Sequence, residues 1–137
     1  MHQTSILYPM MALAALTFVV LLIVPYRRFR ASAAGRVRAH DFKHGESASV
    51  PGDVSIPNRN LMNLLEMPVL FYAACITFYV TKTVDATALW LAWLYFALRV
   101  AHSVVHLSYN WVLHRLAVYA ASCVVLAVLW IRLFLAL

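Results

Sequence analysis

Three polar residues within one apolar stretch are the first candidates for chemistry. Arg59, Asn63 and Glu66 are spaced i, i+4 and i+7, so they project from one face if the stretch is helical. A carboxylate inside a membrane helix costs roughly 2.5 kcal/mol or more, so it is normally paired and often functional. Pro68 follows and removes one backbone hydrogen bond, so we expect a kink beside Glu66.

A second polar set lies on the two apolar stretches that follow. Arg99, His102 and His106 are spaced i, i+3 and i+7, and Arg115 and Tyr119 are spaced i, i+4, so each group shares a helical face. A guanidinium favours the thiolate form of a nearby thiol, and a tyrosine hydroxyl can donate to sulfur or to a developing oxyanion. Arg115 and Tyr119 are therefore the candidate catalytic residues.

The combined set is rich in positive charge. Arg59, Arg99 and Arg115 face a single carboxylate, that of Glu66. Because an unpaired buried charge is costly, the surplus predicts a pocket for an anionic ligand. The alternative is a structural network in which Glu66 pairs with Arg99 or Arg59 and only locks the helices together.

A metal site is a further alternative. His102 and His106 can chelate, and Glu66 would complete a set of two histidines and one carboxylate. Three neighbouring arginines would repel a cation, and we therefore assign no metal ligand.

Composition places these residues in a membrane. Of the 137 residues, 64% are hydrophobic and 12% are charged, whereas a soluble domain averages roughly 45–50% apolar residues. Most of the net charge of +6 lies in one segment beside an apolar stretch, which fits an anionic lipid surface rather than nucleic acid. Cys75 and Cys123 lie in apolar stretches and are interpreted as packing residues.

The elements that position the polar set are predicted to be four membrane-spanning helices in a single domain, residues 1–137. The stretch 6–26 is uncharged and long enough to span, since about 20 residues cross the hydrocarbon core. Arg27, Arg28 and Arg30 follow the first stretch, which predicts an outside N-terminus and a cytoplasmic first loop. The predicted spans are 6–26, 59–81, 86–107 and 115–137, with a loop over 27–58.

This topology brings the polar set to one side. The second span begins inside, the third ends inside and the fourth begins inside, so the ionisable groups fall in one layer near the cytoplasm. Charged groups within spans usually face the bundle interior or a wet cavity. The sequence thus predicts an all-α, four-helix integral membrane protein with a polar pocket at its cytoplasmic side.

On these residues the chain resembles the MAPEG family, the membrane-associated proteins of eicosanoid and glutathione metabolism. The resemblance covers essentially the whole chain, and the run 63–72 is similar to bacterial members. The most specific matches are Arg59-x-x-x-Asn63-x-x-Glu66, Arg99-x-x-His102 and Arg115-x-x-x-Tyr119.

The resemblance implies a homotrimer that binds glutathione between neighbouring subunits at the cytoplasmic side. It implies Arg115 as the residue that stabilises the thiolate. It also implies glutathione contacts for Arg38, Arg59, Asn63, Glu66, His102 and Tyr119. The anionic-pocket argument adds Arg99 and His106 to the binding set.

Three positions depart from the prostaglandin synthase pattern of the family. Met62 replaces an arginine, His106 replaces a tyrosine, and Leu116 replaces a serine. These changes argue against eicosanoid synthesis. We expect a glutathione-dependent transferase or peroxidase acting on lipophilic small molecules in the bacterial inner membrane, in contact with membrane lipids. The alternative is a non-catalytic trimer of the same fold that acts as a scaffold or binds lipid.

Overall fold

The helices of the protein form four membrane-length segments joined by three links. The structure is a computed structural model, and it describes residues 2–137. Short 3₁₀ turns cover Gln3–Ile6 and Ala39–Phe42. The five α-helices are α1 (Leu7–Ala33), α2 (Gly52–Leu65), α3 (Pro68–Thr81), α4 (Ala86–Leu107) and α5 (Val112–Ala136).

The second span is split into α2 and α3 at the predicted kink. Glu66 has φ −88° and ψ −91°, which lies outside the helical region, and Pro68 is the first residue of α3. Proline has no N–H for the carbonyl of Leu64, and its fixed φ suits the first helical position. The kink predicted beside Glu66 is therefore confirmed, and it is a full interruption of the helix.

The loop between the first two spans is shorter than the predicted 27–58, because α1 extends to Ala33 and α2 begins at Gly52, which leaves 34–51 as the loop. With 27 residues, α1 is about 40 Å long, so it exceeds the roughly 30 Å hydrocarbon core and carries its arginines into the headgroup region as helix. At the other end, Pro57 lies inside α2. The carbonyl of Asp53, which Pro57 leaves free, accepts a hydrogen bond from Arg27 Nη1 at 3.4 Å.

The core between the helices contains both large and small buried side chains. Phe71 of α3 stacks on Tyr95 of α4, with ring centroids 4.5 Å apart and an interplanar angle of 23°. Ala74, Ala88 and Ala92 are fully buried, and small residues of this kind let membrane helices approach closely. Since lipid is as apolar as the core, this packing rather than hydrophobicity selects the helix neighbours.

The end of the bundle away from the polar set is closed by polar contacts. Asp85 caps α4 by accepting from the Ala88 N–H at 2.7 Å, and it also forms an ion pair with Arg132 of α5. Gln3 binds both the N–H and the carbonyl of Val84, at 2.9 and 3.4 Å. This end therefore ties the N-terminus, the α3–α4 link and α5 together.

The outer surface is apolar over much of its length. Four helical segments are long and apolar enough to cross a membrane: Gln3–Ala33, Gly52–Thr81, Ala86–Leu107 and Val112–Ala136. Large apolar side chains point outward, with Phe134 80% and Trp90 75% exposed. The prediction of an all-α, multi-pass membrane bundle is confirmed.

Candidate functional site

Most of the predicted polar residues meet in one pocket. It has a volume of about 330 Å³ and lies between α2, α4 and the first turns of α5. Pockets of this size hold small-molecule ligands in other proteins. The lining residues are Arg59, Asn63, His102, His106, Val112, Arg115, Leu116 and Tyr119. We call this the polar pocket.

The polar pocket has positive charge and lacks a carboxylate in its described lining. Arg59 is exposed and Arg115 is half-buried. Arg115 Nη1 donates to Asn110 Oδ1 at 2.8 Å and lies 3.4 Å from His106 Nε2. The amide oxygen of Asn110 carries no net charge, so this contact orients Arg115 without compensating its charge.

Two buried histidines and the half-buried Tyr119 form one wall of the pocket. His102 and His106 are each 2% exposed, and their ring centroids lie 5.7 Å apart. The ring of Tyr119 lies at 5.7 Å from that of His102. Within residues 2–137, Nδ1 of either histidine is buried without a hydrogen-bond partner. This wall presents two imidazole rings and a phenol ring to the pocket.

Arg99 supports the pocket without lining it. Its side chain is fully buried, and Nη2 donates to the backbone carbonyl of Asn63 at 2.6 Å. Its guanidinium carbon lies 5.7 Å from the ring centroid of Tyr119. In the described chain its Nε and Nη1 have no hydrogen-bond partner. Arg99 thus contacts two lining residues, and its predicted contact with glutathione stays a prediction.

Glu66 is placed apart from the other members of its predicted helical face. Arg59 and Asn63 line the polar pocket, but Glu66 is exposed and is not among the lining residues of the described chain. Glu66 still closes the last turn of α2, because its N–H donates to the Met62 carbonyl at 3.1 Å, so it lies farther along the helix axis than Asn63. Its proposed contact with glutathione stays a prediction.

The structural alternative, in which Glu66 pairs with Arg99 or Arg59, requires an ion pair that is absent within residues 2–137. Glu66 takes part in none of the ion pairs formed within residues 2–137. These join Arg28 to Glu46, Arg36 to Asp53, and Arg132 to Asp85. The described residues also contain no group of three His, Cys, Asp or Glu side chains placed to share a metal ion.

Arg38 lies away from the polar pocket in the single chain. It follows α1 and lines a separate, mainly apolar pocket of about 410 Å³ with Arg28, Phe29 and Phe42. Its side chain is exposed. The resemblance places this residue in a site shared between subunits, so its predicted role requires a neighbouring copy and stays a prediction.

Three polar residues near the site were missed by the sequence analysis. Asn60 is fully buried, and its Oδ1 accepts from the Ser103 hydroxyl at 3.3 Å, which joins α2 to α4. Asn110 holds Arg115 from the α4–α5 link. Asn60 lies one turn before Asn63, and Ser103 follows His102, so their positions beside predicted site residues could have indicated both. Asn110 lies outside the predicted spans, where no spacing pattern indicated a role.

Comparison with known proteins identifies the family to which the chain belongs. The sequence model described as "MAPEG family" matches residues 6–135 of the 137. Neither the curated proteins nor the solved structures give a significant match. The family match includes the second and third spans, all but a few terminal residues of the first and fourth, and every lining residue of the polar pocket. The chain belongs to the MAPEG family.

Proposed function

We propose that the protein is a membrane-bound, glutathione-dependent transferase or peroxidase that acts on lipophilic electrophiles through an arginine-stabilised thiolate. The observation that carries the proposal is the polar pocket itself. Arg59 and Arg115 supply cations, His102 and His106 supply buried ring nitrogens, and the described lining has no carboxylate. Such a pocket favours an anionic ligand with several hydrogen-bonding groups.

Glutathione fits this chemistry because it carries two carboxylates, an ammonium group and a thiol. Arg59 would bind one carboxylate, and Arg38 of a neighbouring subunit would bind the other. Asn63 offers a side-chain amide on the same wall, although its Nδ2 now donates to the Arg59 carbonyl at 3.0 Å. Glu66 would bind the ammonium group if the neighbouring subunit encloses it.

Arg115 would act on the thiol. A cation beside sulfur stabilises the thiolate, which is the nucleophilic form. The thiolate sulfur then attacks an electrophilic carbon, a C–S bond forms, and the leaving group departs with its electron pair. With a hydroperoxide, sulfur takes the terminal oxygen and the alcohol leaves; a second glutathione then yields the disulfide and water. Tyr119 would donate a hydrogen bond to sulfur or to the developing oxyanion.

The apolar side of the polar pocket supports a lipophilic second substrate. Val112 and Leu116, on the first turns of α5, line the pocket and are 59% and 58% exposed. These side chains extend the outward-facing apolar surface of the helix up to the thiol site. A substrate dissolved in the bilayer would therefore reach the sulfur along α5 without crossing water.

The proposed assembly is a homotrimer in the bacterial inner membrane, with the pocket on the cytoplasmic side and the N-terminus outside. Arg27, Arg28 and Arg30 lie at the pocket end of α1, and such clusters remain in the cytoplasm. The exposure of Glu66 in the single chain supports the proposed trimer, because a carboxylate that faces lipid within a span is unfavourable.

The test is isothermal titration of glutathione into the detergent-purified protein, followed by conjugation of a chlorodinitrobenzene. Arg115→Gln removes the cation from the pocket, and Arg30→Gln removes an exposed arginine outside it as a matched control. We expect saturable binding to the wild type and to Arg30→Gln, with conjugation lost in Arg115→Gln. Binding without turnover of any electrophile would support the non-catalytic alternative, and absence of binding would refute the proposal.

A further inference from the structure

The link between α4 and α5 contains an asparagine whose backbone is fixed by the turn. Asn110 has φ 47°, in the left-handed region, and its N–H donates to the Val105 carbonyl at 2.8 Å. Asparagine tolerates this region better than most residues with a side chain. The hydrogen bond closes the end of α4, so the position from which the Asn110 side chain projects is set by the backbone.

From that position the side chain reaches the pocket. Asn110 Oδ1 accepts a hydrogen bond from Arg115 Nη1 at 2.8 Å. The backbone N–H of Arg115 donates to the Trp111 carbonyl at 3.0 Å, which places Arg115 in the first turn of α5. A guanidinium has five N–H donors in a fixed plane. Holding one of them orients the plane and leaves other donors for a ligand.

The group that accepts the hydrogen bond from Arg115 is an uncharged amide, so it does not neutralise the guanidinium. A carboxylate at this position would orient Arg115 equally well but would neutralise it. The titratable groups that face Arg115 are His106 and His102 from α4, Tyr119 from α5 and Arg59 from α2. None of them is an acid that is negative at neutral pH, so an amide is the acceptor that keeps the local potential positive.

We propose that Asn110 is a positioning residue, whose amide oxygen holds the Arg115 guanidinium in the wall of the polar pocket without neutralising its charge. The inference rests on the proposed function, since the positive charge is held there for a thiolate. Asn110 does not line the pocket among the described residues, and it acts through Arg115.

Two variants separate orientation from charge. Asn110→Gly removes the acceptor and retains a residue suited to positive φ, whereas Asn110→Asp retains an acceptor and adds a negative charge. Tyr109→Phe is the control: it removes the Tyr109–His114 hydrogen bond of 3.1 Å in the same turn. The measurements are the thiolate absorbance of bound glutathione at neutral pH, and kcat and KM for conjugation.

We expect kcat to fall roughly tenfold in Asn110→Gly, the scale of one hydrogen bond to a charged group, and further in Asn110→Asp. The thiolate absorbance should fall in the same order, KM for glutathione should change less than kcat, and Tyr109→Phe should match the wild type. A merely structural turn residue would leave Asn110→Gly and Asn110→Asp at wild-type kcat and thiolate absorbance, and that result would overturn the proposal.

A second measurement does not need glutathione. Arginine-selective dicarbonyl labelling, read by peptide mass spectrometry, reports how firmly Arg115 is held, with Arg59 as internal reference. We expect severalfold faster labelling of Arg115 in Asn110→Gly and no increase in Asn110→Asp. If this pattern appears but glutathione does not bind the wild type, the proposed function fails and the positioning contact stands. Unchanged labelling in Asn110→Gly would overturn the positioning role even if glutathione binds.

Discussion

The buried guanidinium of Arg99 donates to the backbone carbonyl of Asn63 at 2.6 Å, across the interface of α4 and α2. The carbonyl lies in the last turn of α2, next to the interruption at Glu66. Carbonyls at the end of a helix lack intrahelical partners and must be satisfied elsewhere. Arg99 therefore binds the end of α2, and it fixes the segment that presents Asn63 to the polar pocket.

Arg99→Ala is expected to destabilise the protein strongly. The substitution opens a cavity in the bundle and leaves the Asn63 carbonyl without its partner, for a combined cost of roughly 3 kcal/mol or more in the free energy of unfolding. Thermal unfolding in detergent measures the change. Arg30→Ala, at an exposed position on α1, is the control and should stay within about 0.5 kcal/mol of the wild type. Equal stability of the two variants would contradict the role assigned to Arg99.

Pro68→Ala is expected to weaken glutathione binding without lowering stability. Alanine restores an N–H for the Leu64 carbonyl and allows α2 to continue into α3, which would shift the end of α2 away from Arg99. We expect the free energy of unfolding to stay within about 1 kcal/mol of the wild type or to rise. Calorimetric titration with glutathione should show a higher Kd. An unchanged Kd would mean that the interruption does not shape the pocket.

Tyr119→Phe is expected to separate binding from chemistry. The aromatic ring remains to pack on His102 and over Arg99, but the hydroxyl that would donate to sulfur or to an oxyanion is lost. Removal of one such donor lowers kcat by roughly a hundredfold to a thousandfold. Steady-state kinetics should show this loss with little change in the glutathione Kd. A loss of binding with unchanged kcat would assign Tyr119 to ligand binding alone.

The ion pair between Asp85 and Arg132 is expected to stabilise the opposite end of the bundle without affecting the pocket. Both side chains are about 40% exposed, at 43% and 42%, so the pair should contribute about 1 kcal/mol or less. Asp85→Asn retains an N-cap and loses the pair, whereas Asp85→Ala loses both and should cost about 1 kcal/mol more.

A double-mutant cycle with Arg132→Gln isolates the contribution of this ion pair. The coupling between Asp85→Asn and Arg132→Gln should shrink at high salt, because the pair is partly in water. Glutathione binding should be the same in all members of the cycle. Coupling near zero in low salt would show that the contact does not stabilise the fold.

Local composition predicted the number of spans, their insertion into a membrane and the layer of polar residues. Apolar runs of span length and the arginines after the first run define the four spans. Spacing along one helix placed Arg59 with Asn63, and His102 with His106, and the structure brings these four into one pocket. Pro68 indicated the interruption, because a proline has no N–H to donate to the carbonyl four residues earlier.

The consequence of that interruption was decided only by the tertiary structure. The spacing of Arg59, Asn63 and Glu66 predicts one face, but only Arg59 and Asn63 line the polar pocket, and the interruption at Glu66 redirects the chain that follows as α3. Likewise, no pattern along the chain predicts that Arg99 donates to a backbone carbonyl of α2, or that the Asn110 side chain accepts a hydrogen bond from Arg115.

The sequence by itself determined that this is a four-span membrane protein with a cation-rich layer, and its motifs determined the family. Tertiary structure decided which members of that layer share a pocket, which support it from behind, and which face outward. The physical reason is that hydropathy and helical spacing act within one helix. Contacts between helices depend on packing and on the backbone groups freed at helix ends, and these arise only when distant parts of the chain meet.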